Sequence, residues 1–345
     1  MKNIILKAFA LILALCMVVV PLVSCNNNED PDTTDSTTAA TTESKPDSSL
    51  EMKIYLLNGT TALGASKLIS DTKAGKAGMN YKIETFAAAD AITGAIVSGE
   101  CAIAALPTNA AANLYKKSAG KVQLLAINTL GVLYLLNNGE EISDFNSLKG
   151  KTIYLPGAGS NPEFITAALI KANGLSESDI TLDTTTYPSP DALATAVSAG
   201  QVSLAVLPEP KVTVVRNNNQ NVQVAMDFTA EWEKIYGENT MAQGCLVVNT
   251  QFAKDHPLEV AKFLDDYKAS VEYIAAASDD AINMIVDAGI LPAAGVAKKA
   301  LPNCNICFIE GKDMKNAISV FYAKLYESNN KSIAAIPDDG FYYSR

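Results

Sequence analysis

Val97-Ser98-Gly99-Glu100-Cys101-Ala102-Ile103-Ala104-Ala105-Leu106-Pro107 and, further along, Val197-Ser198-Ala199-Gly200-Gln201-Val202-Ser203-Leu204-Ala205-Val206-Leu207-Pro208 share one layout. In each, a helical stretch ends at a glycine, which closes helices because it accepts left-handed backbone. A short apolar run follows and a proline stops it, since proline cannot donate to a sheet ladder. Apolar runs of this length, set between helical stretches, read as buried strands of a mostly parallel sheet with helices on its faces. Two copies imply two such units.

Working outward, the first unit reads as strands at 52–57, 81–86 and 101–106, each followed by a helix, and then a long apolar stretch, 122–136. That stretch is broken at Asn128-Thr129-Leu130-Gly131. The pattern then restarts, with strands at 152–155, 180–186, 202–207 and 222–228. One more strand follows at 244–249, and from His256 onward the chain is mainly helical. A late strand followed by a long helical tail suggests a chain that returns to its first unit. The expected architecture is therefore α/β, a two-lobed clamshell with two hinge crossings. Lobe I takes residues 51–132 and 243–345, and lobe II takes 133–242. Two consecutive, separate domains are the alternative.

The N-terminus indicates the compartment. Lys2 and Lys7 precede an apolar run from Ala8 to Leu22, with no acidic residue before Glu29. This is the pattern of a signal peptide, residues 1–24, and it is short for a transmembrane helix. The run ends in Leu22-Val23-Ser24-Cys25, which resembles a bacterial lipobox. On that resemblance Cys25 carries diacylglycerol and anchors the mature chain to the membrane; ordinary cleavage beside an incidental cysteine is the alternative. Residues 25–50 are rich in Asn, Asp, Thr and Ser and read as a disordered tether, having little apolar surface to offset ordering entropy. The protein is thus expected to be extracytoplasmic, held to the membrane by a lipid.

Composition excludes several functions. The formal charge is −10, and losing Lys2 and Lys7 with the leader brings it to −12. An acidic chain argues against nucleic acid. Cys304 and Cys307 form a C-x-x-C pair with no second pair, so a local disulfide or two free thiols is expected rather than a metal site. His256 is the sole histidine and stands before Pro257, where it reads as a helix-opening residue. No serine or cysteine has a plausible histidine partner. No catalytic residue, cofactor or metal is expected.

Ligands of open α/β sheets sit beyond the carboxyl ends of the strands. The loops there supply the candidate ligand-binding residues Asn58, Gly59, Thr60, Thr61, Phe86, Thr108, Asn109, Gly157, Gly159, Ser160, Asn161, Tyr187 and Glu209. Several lead directly into helices, whose first N–H groups lack internal partners and favour anionic or carbonyl oxygens. Their polar side chains alternatively cap those same helices. Only Arg216 and Arg345 occur, neither placed to clamp a carboxylate or phosphate. Glu209 lies between two prolines, either in the cleft, where it would accept from an amine or ring N–H, or on an exposed turn. Trp232 completes the candidate set, together with Tyr134, Tyr187 and Tyr236, as a surface for stacking a flat ligand or as packing.

Ser147-Leu148-Lys149-Gly150-Lys151-Thr152-Ile153-Tyr154-Leu155-Pro156-Gly157-Ala158-Gly159-Ser160, the stretch from Asp191 to Val202, and Leu207-Pro208-Glu209-Pro210 resemble the type II periplasmic solute-binding proteins of ABC importers. The similarity covers essentially all of the chain after the tether. It is greatest to the nitrate/taurine/sulfonate and thiamine-precursor group. The resemblance implies a monomeric binding protein, not an enzyme, that carries a small-molecule ligand between its lobes to an ABC permease. A thiamine-precursor-like nitrogen heterocycle is the first ligand expectation, and a sulfonate such as taurine, or nitrate, is the second. The yeast-type pyrimidine synthases of this group carry a cysteine-rich active-site run that has no match here. An enzyme on this fold and a sensory ligand-binding module are the readings from other classes.

Overall fold

The strands of the protein fall into two sheets, seen in a computed structural model that describes residues 45–345 apart from Glu177. The signal peptide, Cys25 and most of the tether lie outside the described residues. The tether's last residues do not hang free. The Asp47 N–H donates to the Glu259 carboxylate at 2.7 Å, and the Asn80 side chain donates to Ser49 O at 3.3 Å.

In chain order the strands are β1 (Glu51–Leu57), β2 (Asn80–Phe86), β3 (Ile103–Pro107), β4 (Val122–Thr129), β5 (Leu133–Asn137), β6 (Thr152–Tyr154), β7 (Thr181–Asp183), β8 (Leu204–Pro208), β9 (Gln223–Asp227), β10 (Gly244–Asn249) and β11 (Ile306–Glu310). The first sheet runs β11-β4-β10-β3-β1-β2 and the second β7-β6-β8-β5-β9. The apolar stretch 122–136 thus supplies one strand to each sheet, parted at Leu130-Gly131-Val132.

Both sheets are mixed. β1 pairs in parallel with β2 and β3, and β6 with β7 and β8. The reversed strands are β10 and β11 in the first sheet and β5 in the second. β5 and β10 are the strands that receive the chain as it crosses between sheets. A strand reached straight from the other sheet starts at the cleft and must run away from it. The strands β2, β3, β4, β7, β8 and β9, each preceded by a helix, run toward the cleft, as do β1 and β6.

The central strands are apolar on both faces, as sheets covered by helices require. Ile103, Ala104, Ala105 and Leu106 have no solvent exposure, nor do Leu246, Val247 and Val248. One apolar cluster joins the two sheets, including Leu106 and Ile127 from the first and Leu135 and Val206 from the second. Helix Gly311–Ser328 contributes Phe321, whose ring lies 5.4 Å from that of Trp232.

Candidate functional site

The carboxyl ends of β1, β3, β6 and β8 converge on one cavity of about 410 Å³ between the sheets. Leu57, Pro107, Pro156 and Pro208 line it from those ends, and Leu133 and Gly244 line it where β5 and β10 begin. Pro107 and Pro208 are the prolines that close the two repeated stretches. They present apolar surface and have no N–H to satisfy.

Two helices open on the cavity from opposite sides, Thr108–Lys117 and Asn161–Ala172. Asn109, near the start of the first, donates its Nδ2 to Gly159 O at 3.5 Å. Asn161, which starts the second, donates its Nδ2 to Gln243 O at 3.3 Å. The two asparagines make reciprocal bonds across the cleft.

Gln243 organises the floor between the crossings. Its N–H donates to Thr129 O at 3.0 Å, and its Oε1 accepts the Val132 N–H at 2.6 Å. Its carbonyl accepts the Thr108 N–H at 3.1 Å as well as the Asn161 amide. One residue therefore ties the outgoing crossing, the return crossing and both helix starts together. Gly244 follows because nothing larger fits: a Cβ there would lie 2.7 Å from Thr61 Cγ2 and 2.8 Å from Asn128 Oδ1. Gln243 and Gly244 are absent from the sequence-derived candidates. The strand following a return crossing was legible, but not that the residue before it would bond both ways.

Of the sequence-derived candidates, Asn58, Thr60, Thr61, Asn109, Gly159, Ser160 and Asn161 line the cavity. Several hydroxyls are already engaged. Thr61 Oγ1 donates to Leu57 O at 2.7 Å, and Ser160 Oγ donates to Gly157 O at 2.9 Å. Asn161 is 6 % exposed, and its Oδ1 has no hydrogen-bond partner among the described residues.

The other candidates lie elsewhere. Gly59 opens the short helix beside the cavity in left-handed backbone, φ 112°. Thr108 is fully buried because its hydroxyl donates to Ala242 O at 2.7 Å on the return crossing. Gly157 packs against the neighbouring loop, its N–H donating to Tyr187 O at 3.3 Å. Phe86 ends the edge strand β2 and packs on Tyr55, ring centres 4.7 Å apart. Tyr187 lies edge-on to Tyr154 at 5.6 Å.

Glu209 is neither in the main cavity nor on an exposed turn. Adjacent residues of an extended strand end face opposite ways, so Pro208 lines the main cavity while Glu209 lines another of about 420 Å³. It is 3 % exposed and accepts from Thr213 N at 3.1 Å and Thr213 Oγ1 at 2.9 Å. Burial pushes its carboxyl above the ordinary glutamate value of 4.5 even though the Thr213 and Asn303 bonds and the charge of Arg216 favour the anion.

Trp232 is fully buried and packs between Tyr236 and Phe321, with Nε1 donating to Thr240 Oγ1 at 3.1 Å. It is a core residue, not a stacking platform. The Tyr134 hydroxyl is likewise used internally, donating to Asn303 O at 3.3 Å. No aromatic and no charged side chain lines the main cavity among the described residues.

Cys304 and Cys307 are free thiols, buried and half-buried. They pack against separate apolar clusters, Cys304 with the one around Ile103 and Cys307 with the one around Ile127. Among the described residues no three His, Cys, Asp or Glu side chains converge as a metal-ligating group. His256 stands at the start of helix Pro257–Ala275, its ring 4.7 Å from that of Phe252.

The family described as NMT1/THI5 like matches residues 119–281. Comparison with curated proteins finds no match. Among solved structures, an ABC transporter protein from Parabacteroides distasonis superposes with a TM-score of 0.72 at 20 % identity, covering 87 % of this chain and 100 % of that one. The periplasmic aliphatic sulphonate binding protein SsuA of Escherichia coli gives 0.69 at 14 % identity, covering 85 % and 92 %. The alkanesulfonate-binding protein SsuA of Xanthomonas axonopodis pv. citri, bound to MOPS, gives 0.63 at 14 % identity, covering 86 % and 96 %. The chain has the fold of the periplasmic binding proteins of ABC importers, and these matches fall in the group that its sequence resembles.

Proposed function

We propose that the chain is the extracytoplasmic substrate-binding component of an ABC importer, holding a small solute in the cavity between its two sheets, and that it is not an enzyme. The observation that carries this reading is the cavity itself. It lies where strand ends of both sheets converge, is flanked by two crossings and is bridged by Asn109 and Asn161. A ligand there touches both halves at once, and only such a ligand can shift an opening equilibrium toward closure. In this reading lobe I (51–132 and 243–345) and lobe II (133–242) move about the segments 130–132 and 237–243. Cys25 carries a lipid, the closed monomer docks on a permease, and no reaction is catalysed. Ser160, a cavity-lining hydroxyl, donates to backbone carbonyls rather than to a base.

A nitrogen heterocycle remains the first ligand reading, on altered grounds. Glu209 and the aromatic residues lie outside the cavity, so its support is now a lining of amide, hydroxyl and apolar side chains with no charged one among the described residues. A sulfonate is the second reading, favoured by the helix starts at Thr108 and Asn161 and by the two sulfonate-binding structural relatives.

Thermal unfolding of the full chain against pyrimidines, sulfonates and nitrate tests the binding function. A ligand at about 100 times its dissociation constant adds about 2.7 kcal/mol, a shift of a few degrees. A shift lost in Gln243→Ala but kept in Trp232→Phe supports this site. The reverse pattern sinks it.

A further inference from the structure

We infer that Asn217, Lys299 and Asn303 hold the cleft open when no solute is bound, acting from a second cavity that the solute does not enter. The inference rests on the binding-protein reading above and adds what a solute must overcome. The second cavity, of about 420 Å³, lies between helix Lys211–Asn218 and the turn Leu301–Asn303 that follows helix Ala294–Ala300. Three bonds join its two walls. Lys299 Nζ donates to Asn217 Oδ1 at 2.7 Å, and the Asn303 side chain bonds the Glu209 carboxylate. The Tyr134 hydroxyl donates to Asn303 O at 3.3 Å. In the two-lobe reading, Lys299 and Asn303 belong to lobe I and their three partners to lobe II.

The sense of the effect follows from where the first crossing runs. The Glu209 N–H donates to Val132 O, on that crossing, at 2.9 Å. Pro208 lines the main cavity and Glu209 the second, so the crossing stands between the two. The sheet order agrees. β4, from which the crossing leaves, has β10, β3 and β1 on one side and β11 on the other. The ends of β1 and β3 line the main cavity, whereas Lys299 and Asn303 lie just before β11. The Leu130 N–H donates to Asn305 O at 3.0 Å, so the segment before β11 abuts the crossing itself. A rotation there that draws β1 and β3 toward β6 and β8 lifts Lys299 and Asn303 away from Asn217 and Glu209. Contacts made in one state and lost in the other bias the equilibrium toward the first. A solute closes the cleft against them, and its affinity is lowered accordingly.

Hydrogen–deuterium exchange of the full chain, read by mass spectrometry with no ligand added, tests this. Lys299→Met and Asn303→Ala each remove one bond across the second cavity. Both residues are exposed, and circular dichroism checks that the variants fold. Closure shields the cavity loops, so exchange at 57–61 and 156–161 should slow about twofold, a population shift within reach of one lost hydrogen bond. Exchange at 211–218 and 299–305 should quicken. Asn217→Asp turns the Lys299 bond into an ion pair and should slow neither cavity loop. Slower cavity loops in at least one of the two removal variants support the inference. Unchanged or faster cavity loops in both overturn it, since a merely structural contact loosens its neighbours and protects nothing. Slowing in Asn217→Asp equal to that in Lys299→Met overturns it as well. No ligand enters the comparison, so its failure leaves the binding-protein reading to the thermal panel above.

Discussion

Asn109 and Asn161 stand at the starts of two helices on opposite sides of the cleft, and each donates its amide to backbone across it, at 3.5 Å and 3.3 Å. The acceptor of the second bond, Gln243 O, belongs to a residue whose side chain also holds Val132. The cleft and the two crossings thus share one hydrogen-bonded group.

Gln243→Met should expose that sharing. It keeps bulk but removes the acceptor of the buried Val132 N–H, which should cost about 1–3 kcal/mol in urea unfolding. Asn109→Ala removes only a long bond and should cost well under about 1 kcal/mol. Equal effects of the two would mean that Gln243 is not the centre of that hydrogen-bonded group.

Gly131 should tolerate no side chain. A Cβ there would lie 2.1 Å from Thr229 Oγ1 and 2.8 Å from Thr229 Cβ. Gly131→Ala should destabilise by about 1–3 kcal/mol through overpacking. Adding Thr229→Gly should recover part of that loss, and no recovery in the double variant would place the strain elsewhere.

Glu209 and Asp183 should give opposite pH dependences. Burial raises the Glu209 carboxyl above 4.5, so its contribution is fully present below that pH and is lost as pH rises through the raised value. Glu209→Gln should flatten the decline in stability above pH 4.5. Asp183 is lowered from 3.8 to about 2, chiefly by the Thr186 side chain and then by the Thr186 and Thr185 N–H groups. Its contribution is present above 3.8 and lost as pH falls toward about 2, so Asp183→Asn should affect only the acid limb. Melting temperature against pH reads both slopes.

The thiols should be inert in the folded protein. Burial raises all four described cysteines, Cys101 and Cys307 to about 12. Since the thiolate is the reactive form, a thiol reagent at pH 8 should label them only on unfolding. Rapid labelling of folded Cys307 would contradict its packing.

Trp232 emission should resist acrylamide quenching, since the side chain is fully buried. A cavity ligand should not quench it by contact, though movement of Thr240 on the return crossing would alter its Nε1 bond. Strong static quenching by a ligand would put the ligand somewhere other than between Asn109 and Asn161.

The alternation of apolar runs with helical stretches was legible because the central strands are buried on both faces and the helices between them on one. Local composition records such burial directly. The loops bearing Asn58, Asn109, Gly159 and Asn161 could be chosen for the same reason, since strand ends in an α/β sheet converge. Residue type alone did not say which way a side chain would face. Trp232 could stack on a ligand or pack, and Glu209 could face the cleft or an exposed turn; Thr213, Asn303, Thr240 and Phe321 hold both inward.

The sequence by itself determined the repeated strand-and-helix layout, because side-chain periodicity and the glycine and proline stops act over a few residues. Only the tertiary structure decided that β5 and β10 run against their neighbours, because their direction follows from where the chain crosses. It alone decided that Pro208 meets the cavity while Glu209 turns away, since that depends on which face of β8 the second half presents to the cleft. And it alone brought Gln243 to Val132, Thr108 and Asn161, because hydrogen bonds between residues far apart in the chain leave no local pattern.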